Sequence, residues 1–374
     1  MNQNPHLRPS KTAILLLNLG TPSAPTRSAV KTYLKEFLSD PRVVEIPRII
    51  WWFILNGIIL PIRSGASAKK YATIWLPELG SPLLHYSRLQ AKSLAANFAN
   101  QHQTVLVDLA MRYGKPSTQE ALDALQAQGM ERVLLLPLYP QYSATTTASS
   151  FDEVFRVLRS WRNQPEVRMV KHYHDHPAYI EALRQQVMDF WEKEGRPDFT
   201  KGERLVLSFH GLPKRNLLKG DPYHCECLKS GRLLGEALGL VPGQYIVTFQ
   251  SRFGKAEWLK PYTAPTLEQL GKEQCPRVDI FCPGFPADCL ETLEEIAMEG
   301  KEIFIEHGGN DYRYIPCLNN SPAWINALHA IAADHMAAWP LTEESPAVLA
   351  KRNALVAVAE AHIVNPTAPA TPLK

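Results

Sequence analysis

A histidine at the end of a strand-like run is the side chain of this sequence best placed for acid–base or metal chemistry. His210 follows the apolar run 205–207 and precedes a glycine and a proline, in the stretch Leu207-Ser208-Phe209-His210-Gly211-Leu212-Pro213. This pattern is typical of a buried strand that ends in a turn. Ligands of open α/β sheets bind beyond the carboxyl ends of the strands, and a neutral imidazole is a base and a metal ligand near pH 7. We therefore predict that His210 lies where a substrate binds.

Three glutamates form the second candidate group. Glu291, Glu294 and Glu295 are spaced at i, i+3 and i+4, which would place their carboxylates on one helix face. Such an acidic strip facing a cleft would carry protons away or guide a cation in. The structural alternative is a capping box, with Asp288 as N-cap and Glu291 at N3.

Elements that would position these residues alternate along the chain. Amphipathic stretches typical of helices separate short apolar runs typical of strands. The strand-like runs lie at 13–18, 105–111, 132–137, 166–170, 204–209, 245–250 and 277–282. The alternation predicts an α/β fold with parallel sheets flanked by helices.

Three motifs recur in the same order in both halves of the chain, each at the end of a predicted strand. They pair 18–22 with 209–213, 112–115 with 252–255, and 137–140 with 283–286. We therefore predict two similar Rossmann-like lobes that face each other across a cleft, an N-terminal lobe at 11–165 and a C-terminal lobe at 166–338. The extension 339–374 is expected to be partly disordered, with a helix at 347–363 and disorder at 366–373.

The repeat is asymmetric in its chemistry. His210 aligns with Leu19, and Glu291 aligns with Thr145, so only the second repeat has ionisable residues at these positions. This predicts that one wall of the cleft carries the reaction and that the other holds the substrate.

The first repeat also contains an insertion, at about 41–80. The glycine and arginine motifs lie 92 positions apart in the first repeat and 41 in the second. The added segment includes the apolar run 49–62, which is too short to span a membrane. It is either a buried core helix or an apolar wall around a flat ligand that touches a bilayer surface, and its place at the cleft mouth favours the wall.

Bulk properties exclude several classes of protein. A net charge of +3 over 374 residues gives no electrostatic case for nucleic-acid binding. The first eleven residues lack a signal-peptide core, so we expect a cytoplasmic protein whose six cysteines are reduced. Phosphate-binding and serine-hydrolase motifs are absent from the sequence, which weakens dinucleotide, nucleotide and serine-hydrolase hypotheses.

Three further segments are weaker candidates. Residues 223–227 contain one Cys-x-Cys pair beside a histidine, which is half of a zinc or iron–sulfur site at best. Residues 172–176 contain three histidines after a predicted strand, so they are either a polar strand-to-helix connection or part of a metal site. The hydroxyl-rich segment 142–147 follows a strand and opens a helix, so it either caps that helix or binds a carboxylate or phosphate.

Together these residues resemble the ferrochelatase family, which inserts ferrous iron into a porphyrin in the last step of haem synthesis. The resemblance runs from Lys11 to Met336. The motifs that carry it are Leu17-Asn18-Leu19-Gly20-Thr21-Pro22, Tyr139-Pro140-Gln141-Tyr142-Ser143, 207–213, Gly220-Asp221-Pro222-Tyr223, 250–258 and 288–293.

The resemblance implies two Rossmann-like lobes with the porphyrin clamped between them. It implies that His210 and Glu291 are the catalytic and metal-binding residues; beside them, our spacing argument makes Glu294 and Glu295 a proton or metal path. The expected porphyrin contacts are Arg112, Trp258, Tyr142, Ser143, Trp51 and Trp52. The insertion corresponds to a lip over the porphyrin, which in some members touches the membrane.

The expected reaction gives protohaem from protoporphyrin IX and Fe²⁺ and releases two protons. Fe²⁺ is a substrate, and we expect no tightly bound cofactor and a monomer. No cysteine follows Cys317, so the 2Fe–2S cluster of some relatives is not predicted. The sequence leaves open coproporphyrin as the ring, and a base or a metal-ligand role for His210. Alternative functions are a non-catalytic porphyrin or haem carrier and a cobalt chelatase for a more polar tetrapyrrole.

Overall fold

Parallel strands form two four-stranded sheets in this computed structural model, which describes residues 10–101, 103–254, 256–342 and 345–364. The first sheet has the order β2-β1-β3-β4. Its strands are β1 (Lys11–Thr21), β2 (Val105–Gly114), β3 (Met130–Pro137) and β4 (Glu166–Met169). The second sheet has the matching order β6-β5-β7-β8. Its strands are β5 (Arg204–His210), β6 (Tyr245–Gln250), β7 (Arg277–Phe281) and β8 (Asp311–Ile315).

Helices connect the strands and cover both faces of each sheet. The α-helices are α1 (Arg27–Leu38), α2 (Arg48–Ile54), α3 (Leu60–Ile74), α4 (Pro82–Asn100), α5 (Thr118–Ala127), α6 (Ser149–Leu158), α7 (Pro177–Glu194), α8 (Lys214–Leu218), α9 (Tyr223–Ala237), α10 (Thr263–Lys272), α11 (Gly300–Glu306), α12 (Pro322–His335) and α13 (Pro346–Val364). Three π-helical segments, Leu55–Ile59, Ala144–Ala148 and Glu291–Glu299, continue into α-helices, and Phe199–Lys201 forms a 3₁₀ turn.

The identical strand orders confirm the α/β architecture and the internal repeat. β1 and β5 are the equivalent central strands, so Leu19 and His210 occupy matching places at their carboxyl ends. Strand β4 pairs with β3, however, so the first sheet extends past the predicted boundary between 165 and 166. The sequence did not reveal β8, because its alternating Asp311 and Arg313 interrupt any apolar run.

Alternate residues of the central strands pack into different hydrophobic cores, as expected for parallel sheets covered on both faces. Ala13, Leu15 and Leu17 pack with residues of α5 and α6 on the outer face of the first sheet. Ile14 and Leu16 belong to a core that also contains Leu205 and Leu207 of the second sheet. One continuous core, filled by α4, α7, α9 and α12, therefore joins the two sheets.

The inserted segment is a surface helix rather than a core helix. Residues Arg48–Ile74 form one helical run that is long and apolar enough to cross a membrane by length and composition, with 17% of its most apolar window buried. Its inner residues Ala68, Tyr71 and Ile74 pack with Val30 of α1. The core-helix interpretation is wrong, because Ile49 (77% exposed) and Phe53 (65%) lie on the outside.

The extension after α12 contains the predicted helix, which is observed as α13. The segment 366–373, for which we predicted disorder, lies outside the described residues.

Candidate active site

His210 ends β5 with one ring nitrogen held and the other free for chemistry. Its Nδ1 lies 2.6 Å from the carbonyl oxygen of Gly211. Because a carbonyl only accepts hydrogen bonds, Nδ1 carries the proton and Nε2 keeps its lone pair in the neutral ring. The half-buried imidazole therefore presents a base or metal-ligand atom beyond the strand end.

Glycine is required after His210 because the strand ends approach closely. A Cβ on Gly211 would lie 2.5 Å from the carbonyl oxygen of Gln250 and 3.1 Å from the Trp258 ring. Its counterpart Gly20 is tighter still, with a Cβ position 1.8 Å from the carbonyl oxygen of Tyr113 and φ of +113°. The glycines recognised in the repeat thus allow the same close approach in both sheets.

Glu295 is the carboxylate that the fold places beside His210. Its two oxygens accept hydrogen bonds from the amide and hydroxyl of Ser251, each at 2.6 Å. Ser251 follows β6 with φ of +64°, a left-handed conformation that turns both donors toward Glu295. Burial raises the pKa of Glu295, while Ser251 and the charge of His210 oppose the rise. The carboxyl group and the imidazole therefore form an electrostatically linked pair.

Glu291 begins the π-helical segment Glu291–Glu299 on the same side of the site. Its carbonyl oxygen accepts a hydrogen bond from Nε2 of Gln250 at 2.8 Å, and Gln250 pairs in register with His210. Burial and the negative charge of Glu291 together raise the pKa of Tyr71 and of the Cys289 thiol. The Glu291 carboxylate therefore lies close to Tyr71 and to the Cys289 thiol.

The capping-box alternative for Glu291 is wrong. Asp288 accepts hydrogen bonds from the Thr292 hydroxyl at 3.2 Å and the Asn319 amide at 2.6 Å, as well as from the Tyr314 hydroxyl. Asp288 thus links the loop after β7 to the Thr292 side chain, and it accepts no hydrogen bond from the backbone amide of Glu291 among the described contacts. No side-chain hydrogen bond caps the π-helical segment among the described contacts.

Glu294 does not share a face with Glu291 and Glu295, contrary to the helical prediction. The segment is a π-helix, in which hydrogen bonds join residues five apart rather than four. Glu294 and Glu299 consequently lie together, and both accept hydrogen bonds from Nζ of Lys70, at 2.9 and 3.2 Å. Glu294 thus holds α3 of the insertion against the second sheet's π-helix.

Arg112 is tied into a polar network of the first sheet. Its guanidinium donates to Asp40 at 2.6 Å and to the carbonyl and hydroxyl oxygens of Ser149, at 3.0 and 2.8 Å. The Tyr113 hydroxyl donates to the same Asp40 oxygen at 2.8 Å. Arg112 therefore has less freedom to bind a ligand carboxylate than the sequence suggested.

Tyr142 and Ser143 lie at the start of the π-helical segment Ala144–Ala148, where an anion site was one hypothesis. Asp221 accepts hydrogen bonds there from the Ser143 hydroxyl at 3.0 Å and the Ala144 amide at 2.8 Å. Glu226 accepts a hydrogen bond from the backbone amide of Tyr142 at 2.7 Å. These hydrogen-bond donors are therefore already bound to carboxylates of the chain itself, which leaves them unavailable to an anionic ligand.

The three predicted tryptophans occupy different places. Trp258 packs against the Gly211 backbone next to His210. Trp51 is half-buried, and its indole N–H donates to the carbonyl oxygen of Leu38 at 2.6 Å. Trp52 is 58% exposed and packs edge to face on Phe53.

Sequence reasoning missed four residues that surround the glutamates. Ser251, Tyr71, Tyr33 and Lys70 are contributed by a strand end and by helices α1 and α3. Ser251 could have been predicted from the sequence, because it follows β6 just as His210 ends the adjacent strand β5. The others are separated from the glutamates by more than two hundred residues, so only tertiary contact reveals them.

Known proteins are similar to this chain in sequence or in fold. The ferrochelatase family model matches residues 11–336. A ferrochelatase of Herminiimonas arsenicoxydans is 60% identical over 94% of each chain. One of Chromobacterium violaceum is 58% identical over 88% of this chain and 89% of its own. SirB from Bacillus subtilis, solved with Fe³⁺, matches the fold with a TM-score of 0.52 at 14% identity, covering 87% of this chain and 96% of that one. With the strand-end histidine and its glutamates in place, this chain belongs to the ferrochelatase family.

Proposed function

We propose that this protein inserts Fe²⁺ into protoporphyrin IX to give protohaem, the last step of haem biosynthesis. The observation that carries the proposal is His210, whose Nδ1–H is held by the Gly211 carbonyl, which leaves Nε2 for chemistry. The imidazole also interacts electrostatically with Glu295. Membership in the ferrochelatase family supports the choice of reaction.

The reaction breaks two pyrrole N–H bonds, releases two protons and forms bonds from iron to the ring nitrogens without a change in oxidation state. In the proposed mechanism, Nε2 of His210 accepts a pyrrole proton or is the first ligand of the incoming ion, and Glu291 shares the ion or a proton. Glu295 receives protons from His210, because burial favours its neutral form. Glu294 is too firmly engaged with Lys70 to be the first relay group.

The porphyrin is proposed to lie between the strand ends of the two sheets. Trp258 flanks His210, and the insertion at about 41–80, including Trp51 and Trp52, forms the lip over the ring. Arg112, Tyr142 and Ser143 are proposed to line the wall on the side of the first sheet. Hydrogen bonds to Asp40, Glu226 and Asp221, respectively, hold them in place.

Metal insertion with two porphyrins tests the proposal. Purified protein is mixed with Zn²⁺ or Fe²⁺ and either protoporphyrin or coproporphyrin, and the absorbance change of the ring is followed. We expect turnover, and faster turnover with protoporphyrin because the lip is apolar. Porphyrin binding without turnover would indicate the carrier alternative, and Co²⁺ insertion only into a more carboxylated ring would indicate a cobalt chelatase.

We also propose that the protein is a cytoplasmic monomer whose lip touches the membrane surface. All six cysteines are free, in keeping with a reducing compartment. Exposed Ile49, Trp52, Phe53 and Ile62 form an apolar face rimmed by Arg48 and Arg63. The double variant Trp52→Asp/Phe53→Asp should lose sedimentation with anionic vesicles, whereas the equally exposed control Val241→Asp should not. Light scattering at several concentrations checks for the monomer, and a mass that doubles would contradict it.

A further inference from the structure

Two histidines and a glutamate that lie apart in the sequence meet at the junction of the two sheets. His172 and His174 follow β4 of the first sheet, and Glu226 lies in the first turn of α9, which packs on the second sheet. One possible ligand atom from each residue lies within 4.8 Å of the other two. The sequence showed the histidines and the glutamate as two unrelated segments.

The two imidazoles lie together although Tyr173 separates them in the chain. Residues 171–173 belong to no helix or strand, and a turn begins at His174. The intervening Tyr173 is held away from the cluster by its hydroxyl, which donates to the buried carbonyl of Pro137 at 3.1 Å. The His172 and His174 rings then lie 5.0 Å apart, edge to face.

His174 has an unsatisfied nitrogen that faces the cluster. Its side chain is 7% exposed, and Nδ1 makes no hydrogen bond although Oε2 of Glu226 lies 3.5 Å away. Nδ1 of His172 lies 2.7 Å from the other Glu226 oxygen. A buried nitrogen without a partner costs free energy, which a ligand at this point would recover.

We propose that His172, His174 and Glu226 bind a divalent transition-metal ion, Zn²⁺ being the best fit, as a clamp between the two sheets. Two imidazoles and a carboxylate are a common zinc donor set, and the 41% exposed side chain of His172 leaves the fourth position open to water.

Distances in the cluster suit this ion. Zinc bonds of about 2.0–2.2 Å place neighbouring donors of a tetrahedron about 3.3–3.5 Å apart. The distance from His174 to Glu226 is already 3.5 Å. The exposed His172 ring must move outward by about 0.6 Å from its hydrogen bond to Glu226 to reach the same spacing.

Electrostatics at the cluster also favours a cation. The carboxylate of Glu226 lies 3.5 Å from Nδ1 of His174, and that of Asp175 lies 3.8 Å from its Nε2, so two negative groups flank the ring. The ammonium of Lys229 opposes a cation here, but Asp175 accepts its hydrogen bond at 2.5 Å. A bound ion would link the end of β4, the first turn of α9 and, through the Tyr142 amide on Glu226, the loop after β3.

Zinc binding is tested in a chain that lacks the proposed catalytic ligands, His210→Ala/Glu291→Gln, so that failure of the haem-synthesis proposal is scored separately. The metal-free protein is titrated with Zn²⁺ by calorimetry, and bound zinc is counted after dialysis. We expect one ion per chain, and its loss when His172→Ala/His174→Ala is added. His307→Ala, which removes a half-buried histidine paired with one glutamate and no second imidazole, is the matched control and should retain the ion.

Two further measurements keep the outcome clear. The single variant His172→Gln changes a partly exposed side chain, and we expect it to weaken zinc binding by about tenfold or more while circular dichroism stays unchanged. Co²⁺ bound at the site should give visible absorption typical of imidazole and carboxylate ligands. Absence of zinc from the folded starting variant, unchanged binding after both histidine substitutions, or a thiolate–cobalt band from Cys225 would each overturn the site.

Discussion

The two sheets share one strand order but use equivalent positions for different purposes. At the end of the central strand, the first sheet has Leu19 and the second has His210. In the π-helical segments that follow β3 and β7, the matching positions hold Thr145 and Glu291, respectively. A duplicated scaffold can therefore keep its backbone geometry while only one copy carries ionisable groups to the cleft.

The arginine motifs show the reverse specialisation. Arg112 of the first sheet is bound to buried Asp40 and Ser149, whereas its counterpart Arg252 is exposed and lies over the Tyr262 ring, 4.9 Å from its centroid. We therefore expect the polar network around Arg112 to stabilise the first sheet, whereas Arg252 should add little to the stability of the second. Four experiments can break or sharpen this contrast.

The largest difference is expected between His210→Ala and Leu19→Ala. Without the imidazole, zinc insertion into protoporphyrin should fall by about 10²-fold or more, because a proton acceptor or first metal ligand is lost. Leu19→Ala should change the rate by less than about threefold, since alanine keeps an apolar wall. Initial rates from porphyrin absorbance, with porphyrin binding measured by fluorescence, check both. Turnover above about one per cent in His210→Ala would remove its assigned role.

Glu291→Gln should lower turnover by about 10- to 100-fold, whereas Thr145→Val, at the matching place in the first repeat, should stay near the wild-type rate. The amide keeps the size of the side chain and removes the negative charge needed by a metal or a proton. The same assay, accompanied by thermal unfolding, gives the comparison. A loss of stability with normal turnover in Glu291→Gln would show a structural role instead.

The arginine contrast should appear in stability. Asp40→Ala removes the acceptor of Arg112 and Tyr113 and leaves a poorly solvated cation, so we expect a loss of about 3 kcal/mol. Arg252→Ala on the exposed counterpart should cost less than about 0.5 kcal/mol. Urea unfolding followed by circular dichroism measures both, and equal losses would contradict the stabilising role of the polar network around Arg112.

The smallest effect is a pH-dependent difference in stability between wild type and Glu295→Gln. Burial raises the folded-state pKa of Glu295 above that of an unfolded glutamate, so protonation favours the folded state. This contribution is complete below the ordinary glutamate pKa of about 4.3 and is lost as the pH rises through the folded value. The Tm of wild type should therefore fall relative to Glu295→Gln between about pH 4 and neutrality. Glu299→Gln, on the same helix and exposed, should show no such trend.

The sequence by itself determined the α/β class and the repeat, and it singled out His210 and Glu291 as the candidate catalytic pair. Apolar runs with the period of buried strands, and glycine where strand ends must approach, are local properties, so Gly20 and Gly211 could be recognised in a linear pattern. The apolar character of the run 49–62 is likewise evident from the sequence.

Only the tertiary structure decided which of these side chains meet. The π-helix turned Glu294 to Lys70 and Glu295 to Ser251 and His210, although a regular helix would have kept the glutamates together. Asp40 and Asp221 accept hydrogen bonds from groups that we had expected to bind a ligand. Glu226 lies beside two histidines that are distant in the sequence. Such pairings depend on packing between residues far apart in the chain, because hydrogen bonding and burial are settled by distance in space and leave no periodic trace in the sequence.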